Sequence, residues 1–166
     1  MIMKKYGIFY GTNSGVTADV AARIGKALGV SAEDIHDVSR TAPSAVGDYS
    51  TIILGASTWG DGDVQDDMQD FLNGIRPLDL KGHKIAVFGL GDENMSDTFC
   101  NAIGRMSEAV KATGAGLIGS FNTDGYTFSH STGETAGAVL PGLAIDETNH
   151  PEYTDRRIAE WIKLLA

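Results

Sequence analysis

Cysteine is nearly absent from this 166-residue chain, with Cys100 the single example, and only four prolines interrupt it. One thiol excludes an internal disulfide and any multi-cysteine zinc or iron–sulfur site, and Cys100 reads as a core thiol. Basic residues are also scarce: 13 Lys and Arg stand against 22 Asp and Glu, a formal charge of −9. That balance disfavours nucleic acid and anionic membrane surfaces and favours basic protein partners. Long apolar runs are missing too. Apolar residues make up 42% of the chain, yet no run approaches the roughly 20 residues needed to span a bilayer. The opening residues, Met1 to Gly11, carry two lysines and a short apolar stretch with no cleavage-like site, and read as a buried first strand in a cytoplasmic protein. His36, His83, His130 and His150 show no ligand spacing, so no metal site is expected.

What is present is a regular alternation. Lys5 to Tyr10, Thr51 to Ser57 and Lys84 to Leu90 are near-continuous apolar runs, the pattern of strands buried on both faces. Asp34 to Val38 reads as a second strand, and Pro43 to Val46 as a short helix. Helical spacing links Val20, Ile24 and Leu28; Met68, Phe71, Leu72 and Ile75; Phe99, Ile103, Met106 and Val110; and Ile158, Trp161, Ile162 and Leu165. Gly29 and Gly114 fall where helix ends are expected. A fifth strand is expected from Leu117 to Phe121, resuming near Leu143 to Ile145, with the Gly-, Ser- and Thr-rich stretch Asn122 to Val139 inserted between. Five alternations predict one α/β domain over residues 1–166: a doubly wound five-stranded parallel sheet, order 2-1-3-4-5, with helices on both faces. A chain of this length buries about 70% of its unfolded surface in one such core.

Three loops follow strands. In Gly11-Thr12-Asn13-Ser14-Gly15-Val16-Thr17, hydroxyls, backbone amides and a helix N-terminus could receive a phosphate without a cation; the same hydroxyls could equally cap the helix. The loop is neither a Walker loop nor of the G-x-G-x-x-G type. In Ser57-Thr58-Trp59-Gly60-Asp61-Gly62-Asp63, a tryptophan among glycines and aspartates offers a flat surface to a planar ligand, or else covers the sheet end as core. Gly89-Leu90-Gly91-Asp92-Glu93-Asn94-Met95 permits close backbone approach to a ligand, but also suits an ordinary strand-to-helix turn.

Taken together, Gly11-Thr12-x-Ser14-Gly15-x-Thr17, Thr58-Trp59-Gly60-Asp61-Gly62 and Gly89-x-Gly91-Asp92 resemble, in order and spacing, the three flavin-binding loops of flavodoxins. Asn122-Thr123-Asp124-Gly125-Tyr126 and the insertion after it resemble the long-chain subgroup. The resemblance implies FMN held without a covalent link, with its phosphate on Thr12, Asn13, Ser14, Gly15, Val16 and Thr17. It places the ring among Ser57, Thr58, Trp59, Gly60, Asp61, Leu90, Gly91, Asp92 and Met95. Ligands of doubly wound sheets lie at the carboxyl ends of the strands, a rule of which the flavodoxin fold is itself an example. Two positions depart from the family. Val16 stands where Asn or Lys is frequent, and Met95 where many relatives stack a Tyr on the outer ring face.

The implied function is a low-potential one-electron carrier, monomeric and without catalytic residues of its own, serving a flavodoxin reductase or oxidoreductases. Asp61, Asp63, Asp66, Asp67, Asp70, Asp92, Glu93 and Asp97 would surround the ring. At about 10 Å and an effective dielectric of about 40, each would oppose added negative charge by about 0.8 kcal/mol, on the order of 35 mV. The same acids could instead form a solvated face, or steer basic partners. A flavin enzyme of the same fold, such as an NAD(P)H-quinone reductase, would need a basic residue near the loops for a second phosphate, and none is seen. A signalling receiver would need acids where the first strand ends in Gly11-Thr12.

Overall fold

A computed structural model describes residues 3–12, 14–59, 63–91, 101–122 and 139–165, with backbone alone at Trp59, Asp63, Asn122 and Val139. Its central strands are β1 (Lys4–Gly11), β2 (Ile35–Asp37), β3 (Tyr49–Trp59) and β5 (Lys84–Leu90), with β4 (Asp63–Val64) folding back antiparallel on β3. The strands β2, β1, β3 and β5 lie side by side and parallel. The next position is shared: β6 (Gly116–Ile118) pairs with Lys84 to Ala86, and β9 (Leu143–Ile145) pairs with Phe88 to Leu90. The expected order 2-1-3-4-5 is therefore present, with its last strand made in two pieces.

The two-residue period of a strand sends successive side chains to opposite faces, so a strand buried on both sides must be apolar throughout. Ile8, Ile53, Ala86 and Phe88 join one core with Val20, Ile24, Ile158 and Trp161. These last four lie on α1 (Val16–Leu28) and α4 (Thr154–Ile162). Their neighbours Phe9, Ile52, Leu54 and Val87 join the other core, with Met68, Leu72, Ile103 and Met106. These belong to α2 (Asp66–Ile75) and α3 (Asn101–Thr113). Gly29 and Gly114 end α1 and α3 in the left-handed region, as their positions predict. Among the described residues no helix is long and apolar enough to cross a membrane.

The short helix expected at Pro43 to Val46 is present as a 3₁₀ helix, Pro43–Asp48. One expectation needs correction. The fifth strand does not run from Leu117 to Phe121: it stops at Ile118, because Gly119 takes φ 85° and turns the chain out of the sheet. Phe121 instead begins β7 (Phe121–Asn122), which pairs antiparallel with β8 (Val139–Leu140) in a separate two-stranded sheet. The carbonyl of Gly119 accepts the indole N–H of the fully buried Trp161 at 2.8 Å, fixing α4 beneath this turn. The body of the insertion, residues 123–138, lies outside the described residues.

At the β1–β2 edge, Tyr49 donates its hydroxyl to Asp34 at 2.9 Å and meets His36 Nε2 at 2.8 Å, while Lys4 holds Asp34 at 2.9 Å. Phe9 stacks on the His36 ring. Burial lowers the pKa of His36 below its ordinary 6.5, against the opposing pull of Asp34. A histidine with a depressed folded-state pKa binds fewer protons folded than unfolded, so its contribution is complete above 6.5 and is lost as pH falls below it. Asp34, held below 3.8 chiefly by its hydrogen bond from Lys4, adds acid sensitivity only at lower pH. Urea unfolding of the wild type is expected to show stability falling from pH 7 to 5. In His36→Gln that slope should flatten; an unchanged slope would remove His36 as its source.

Candidate functional site

The carboxyl ends of β1, β3, β5 and β9 meet at one edge of the sheet, where a cleft of about 240 Å³ is lined by Ser14, Val16, Thr17, Ser57, Thr58, Leu90, Gly91, Glu147 and Thr148. Each strand contributes for a local reason. After Gly11, the Thr12 hydroxyl accepts the Gly15 amide at 2.9 Å, and Gly15 takes φ 89°, which turns the chain directly into α1. No described side chain caps that helix. Its first internal bond is from the Asp19 amide to the Gly15 carbonyl, so the amides of Val16, Thr17 and Ala18 precede the helical ladder. Of the two readings of this loop, simple capping by Ser and Thr is therefore the poorer: Thr12 braces the turn, and the helix start stays open beside the cleft. Such an end attracts anions through aligned amides and the helix dipole. Thr17 is buried beneath it, while Ser14 and Val16 are exposed.

At the end of β3, Thr58 pairs with Val64 and Trp59 with Asp63, so β4 returns antiparallel along β3. Thr58 accepts the Ala102 amide at 3.2 Å, tying this loop to the start of α3. Gln65, almost wholly buried, donates its backbone amide to the Ser57 carbonyl and accepts the Met68 amide at 2.9 Å. It thereby starts α2 and fixes the return of the second loop. Beyond β5, Gly91 donates to the Ile145 carbonyl at 3.0 Å, carrying the β5–β9 pairing into the third loop.

The structure thus brings Ser14, Val16, Thr17, Ser57, Thr58, Leu90 and Gly91 around one cleft, with Thr12 and Gly15 building the turn behind it. The Trp59 backbone lies in β3 beside them. Asn13, Gly60, Asp61, Asp92 and Met95 lie outside the described residues. Of the acidic residues on α2, Asp67 and Asp70 line a different groove, with Val38, Ser39, Thr41, Pro43 and Phe71. Among the described residues no group of three or more His, Cys, Asp or Glu is placed to hold a metal ion.

Sequence reasoning missed Gln65, Glu147 and Thr148. The last two follow β9 in a turn organised by Asp146, whose buried carboxylate accepts the Asn149 backbone amide at 2.8 Å and its side-chain amide at 2.9 Å. The signal was available, since residues just after a parallel strand must emerge at the same sheet edge as the other loops. Glu147 is ion-paired to Arg23 on α1, which also binds Asp155 on α4 at 2.7 Å. Burial works against the charge of Arg23, but the hydrogen bonds to Asp155 and Glu147 outweigh it and raise its pKa.

An open doubly wound sheet whose first helix opens onto a cleft at the strand ends, with two further loops converging there, has the architecture of a nucleotide-binding α/β protein. Within that class the match is specific. The flavodoxin family model matches residues 8–161. Flavodoxin 1 of Escherichia coli is 35% identical over 161 residues, 96% of this chain and 92% of that protein. A flavodoxin of Nostoc sp. is 37% identical over 163 residues, 98% of this chain and 95% of that one. The crystal structure of Fusobacterium nucleatum flavodoxin bound to flavin mononucleotide superposes with a TM-score of 0.87 at 26% identity, covering 98% of this chain and 97% of that one. The chain belongs to the flavodoxin family.

Proposed function

We propose that this chain is a low-potential, one-electron carrier that holds FMN non-covalently in the cleft at the ends of β1, β3, β5 and β9. The observation that carries the reading is the convergence of Ser14, Val16 and Thr17 with Ser57, Thr58, Leu90 and Gly91 on one cleft, in a chain of flavodoxin ancestry. The residues suit the group. A monophosphate accepts hydrogen bonds from hydroxyls and from the open amides at the start of α1, and needs no cation there. FMN supplies the redox chemistry when bound; the chain binds, orients and shields it.

Thr12 and Gly15 fix the turn that receives the phosphate; the Thr58 hydroxyl and the Gln65 backbone amide hold the second loop. Of the site residues inferred from resemblance, Asn13 belongs to the phosphate loop, and Trp59, Gly60, Asp61, Asp92 and Met95 complete the ring pocket in this reading. The interrupted fifth strand, with residues 119–142 between its halves, supports placement in the long-chain subgroup. A single domain over 1–166, acting as a monomer in the cytoplasm, fits the acidic, cysteine-poor composition. Its partners are redox proteins with basic docking surfaces, attracted by the net charge of −9. A substrate-converting activity of its own is not part of this reading.

The test is optical. Purified protein incubated with excess FMN and then desalted is expected to stay yellow, with the flavin fluorescence quenched. It should accept electrons in two separate steps on stepwise reduction, and should not oxidise NAD(P)H unaided. Colourless protein would overturn the cofactor assignment, and sustained NAD(P)H oxidation would replace the carrier with an enzyme.

A further inference from the structure

A carboxylate is an awkward neighbour for a phosphate, and this cleft has one. Glu147 lines it together with Ser14, Val16 and Thr17, and its pair with Arg23 sets it against α1. Residues 11–17 carry no Lys or Arg to balance it. The cation that meets Glu147 comes from elsewhere on the same helix. Arg23 donates Nη1 to Glu147 Oε1, while its Nε and Nη2 both reach Asp155 Oδ1, at 3.0 and 2.7 Å. A third carboxylate, Asp19, lies 3.5 Å from Nη1.

These contacts differ in worth. The Asp155 side chain is 81% exposed and orients the guanidinium more than it binds it, whereas Arg23 and Glu147 are 28% and 20% exposed, so less water screens the pair. The pair also crosses three elements. It ties the turn after β9, organised by Asp146, to the helix that opens onto the cleft, and through Asp155 to α4.

We propose that Arg23 is the positioning residue that makes this corner acceptable to the phosphate. Its guanidinium cancels the charge of Glu147 and holds that carboxylate against the flank of α1. Without Arg23, the carboxylate of Glu147, which lines the cleft, would stand uncompensated, as would those of Asp19 and Asp155. This inference rests on the FMN reading above and adds to it a determinant of selectivity for the phosphorylated flavin.

Titration of apo-protein with FMN and with riboflavin, followed by flavin fluorescence, separates the two claims, because riboflavin lacks only the phosphate. Arg23→Gln is expected to weaken FMN binding roughly tenfold while leaving riboflavin within about twofold. Adding Glu147→Gln to that variant should restore most of the FMN affinity. A purely structural loss would not be recovered by removing a second side chain. Glu147→Gln alone, which removes a negative charge from the cleft and leaves Arg23 in place, should bind FMN more tightly than wild type, and this arm stands even if Arg23→Gln fails to fold. Equal weakening for both flavins, no weakening, no recovery in the double variant, or FMN-specific weakening by Glu147→Gln would each overturn the proposal. Wild-type protein that binds neither flavin would instead sink the cofactor reading itself.

Discussion

Replacing Thr17 with valine is expected to weaken FMN binding roughly ten- to hundredfold, the range for losing one hydrogen bond to a charged group. Thr17 lines the cleft while its residue is only 2% exposed, so its hydroxyl sits in a rigid, poorly hydrated spot. Valine keeps the shape and removes the donor. Riboflavin affinity should change by no more than about twofold, since the loss concerns the phosphate alone. Ser14→Ala should cost less, because Ser14 is exposed and water can substitute for its hydroxyl. Parallel titrations of the three proteins with both flavins check this. Equal FMN affinity for wild type and Thr17→Val would move the phosphate away from α1.

Gly142→Ala should be among the most damaging single-methyl additions to the fold. A Cβ at Gly142 would run into the carbonyl oxygen and the side chain of Val87 in β5. Its backbone is not in the left-handed region, so the penalty is steric, and a backbone atom of a central strand cannot step aside. A loss of about 3 kcal/mol is expected, at the upper end for overpacking. Chemical denaturation should show the midpoint falling sharply. Gly47→Ala is the control: an added methyl there meets nothing within 4 Å, and stability should hold or rise slightly. If the two variants behaved alike, the close packing of Gly142 on β5 would be refuted.

Gly142 also shows where sequence reading reaches its limit. The central strands were legible because burial on both faces forces continuous apolar runs, and Lys84–Leu90 is bounded as its sequence suggests. The helices were legible through their spacing and their glycine stops. The first loop was legible as a turn because Thr12 and Gly15, which build it, lie in the same short segment as Ser14, Val16 and Thr17, which line the cleft. The end of the fifth strand was not legible. Leu117, Ile118 and Phe121 are all strand formers, and only the φ of Gly119, set by packing over Trp161, separates them. The pairing of Glu147 with Arg23 was missed for a related reason: they stand 124 positions apart, and no local pattern marks a pair made by tertiary closure.

The divided outer strand has a consequence for how the molecule tolerates change. Its two halves take their alignment separately from Lys84 to Ala86 and from Phe88 to Leu90, so neither depends on the length of chain between them. Because the entropic cost of a longer loop grows only logarithmically, the stretch between β7 and β8 can change length at small cost. The half that carries Glu147 and Thr148 would keep its place, because its pairing with β5 holds it at the cleft. The rim of the cleft is thereby insulated from changes of length upstream of it.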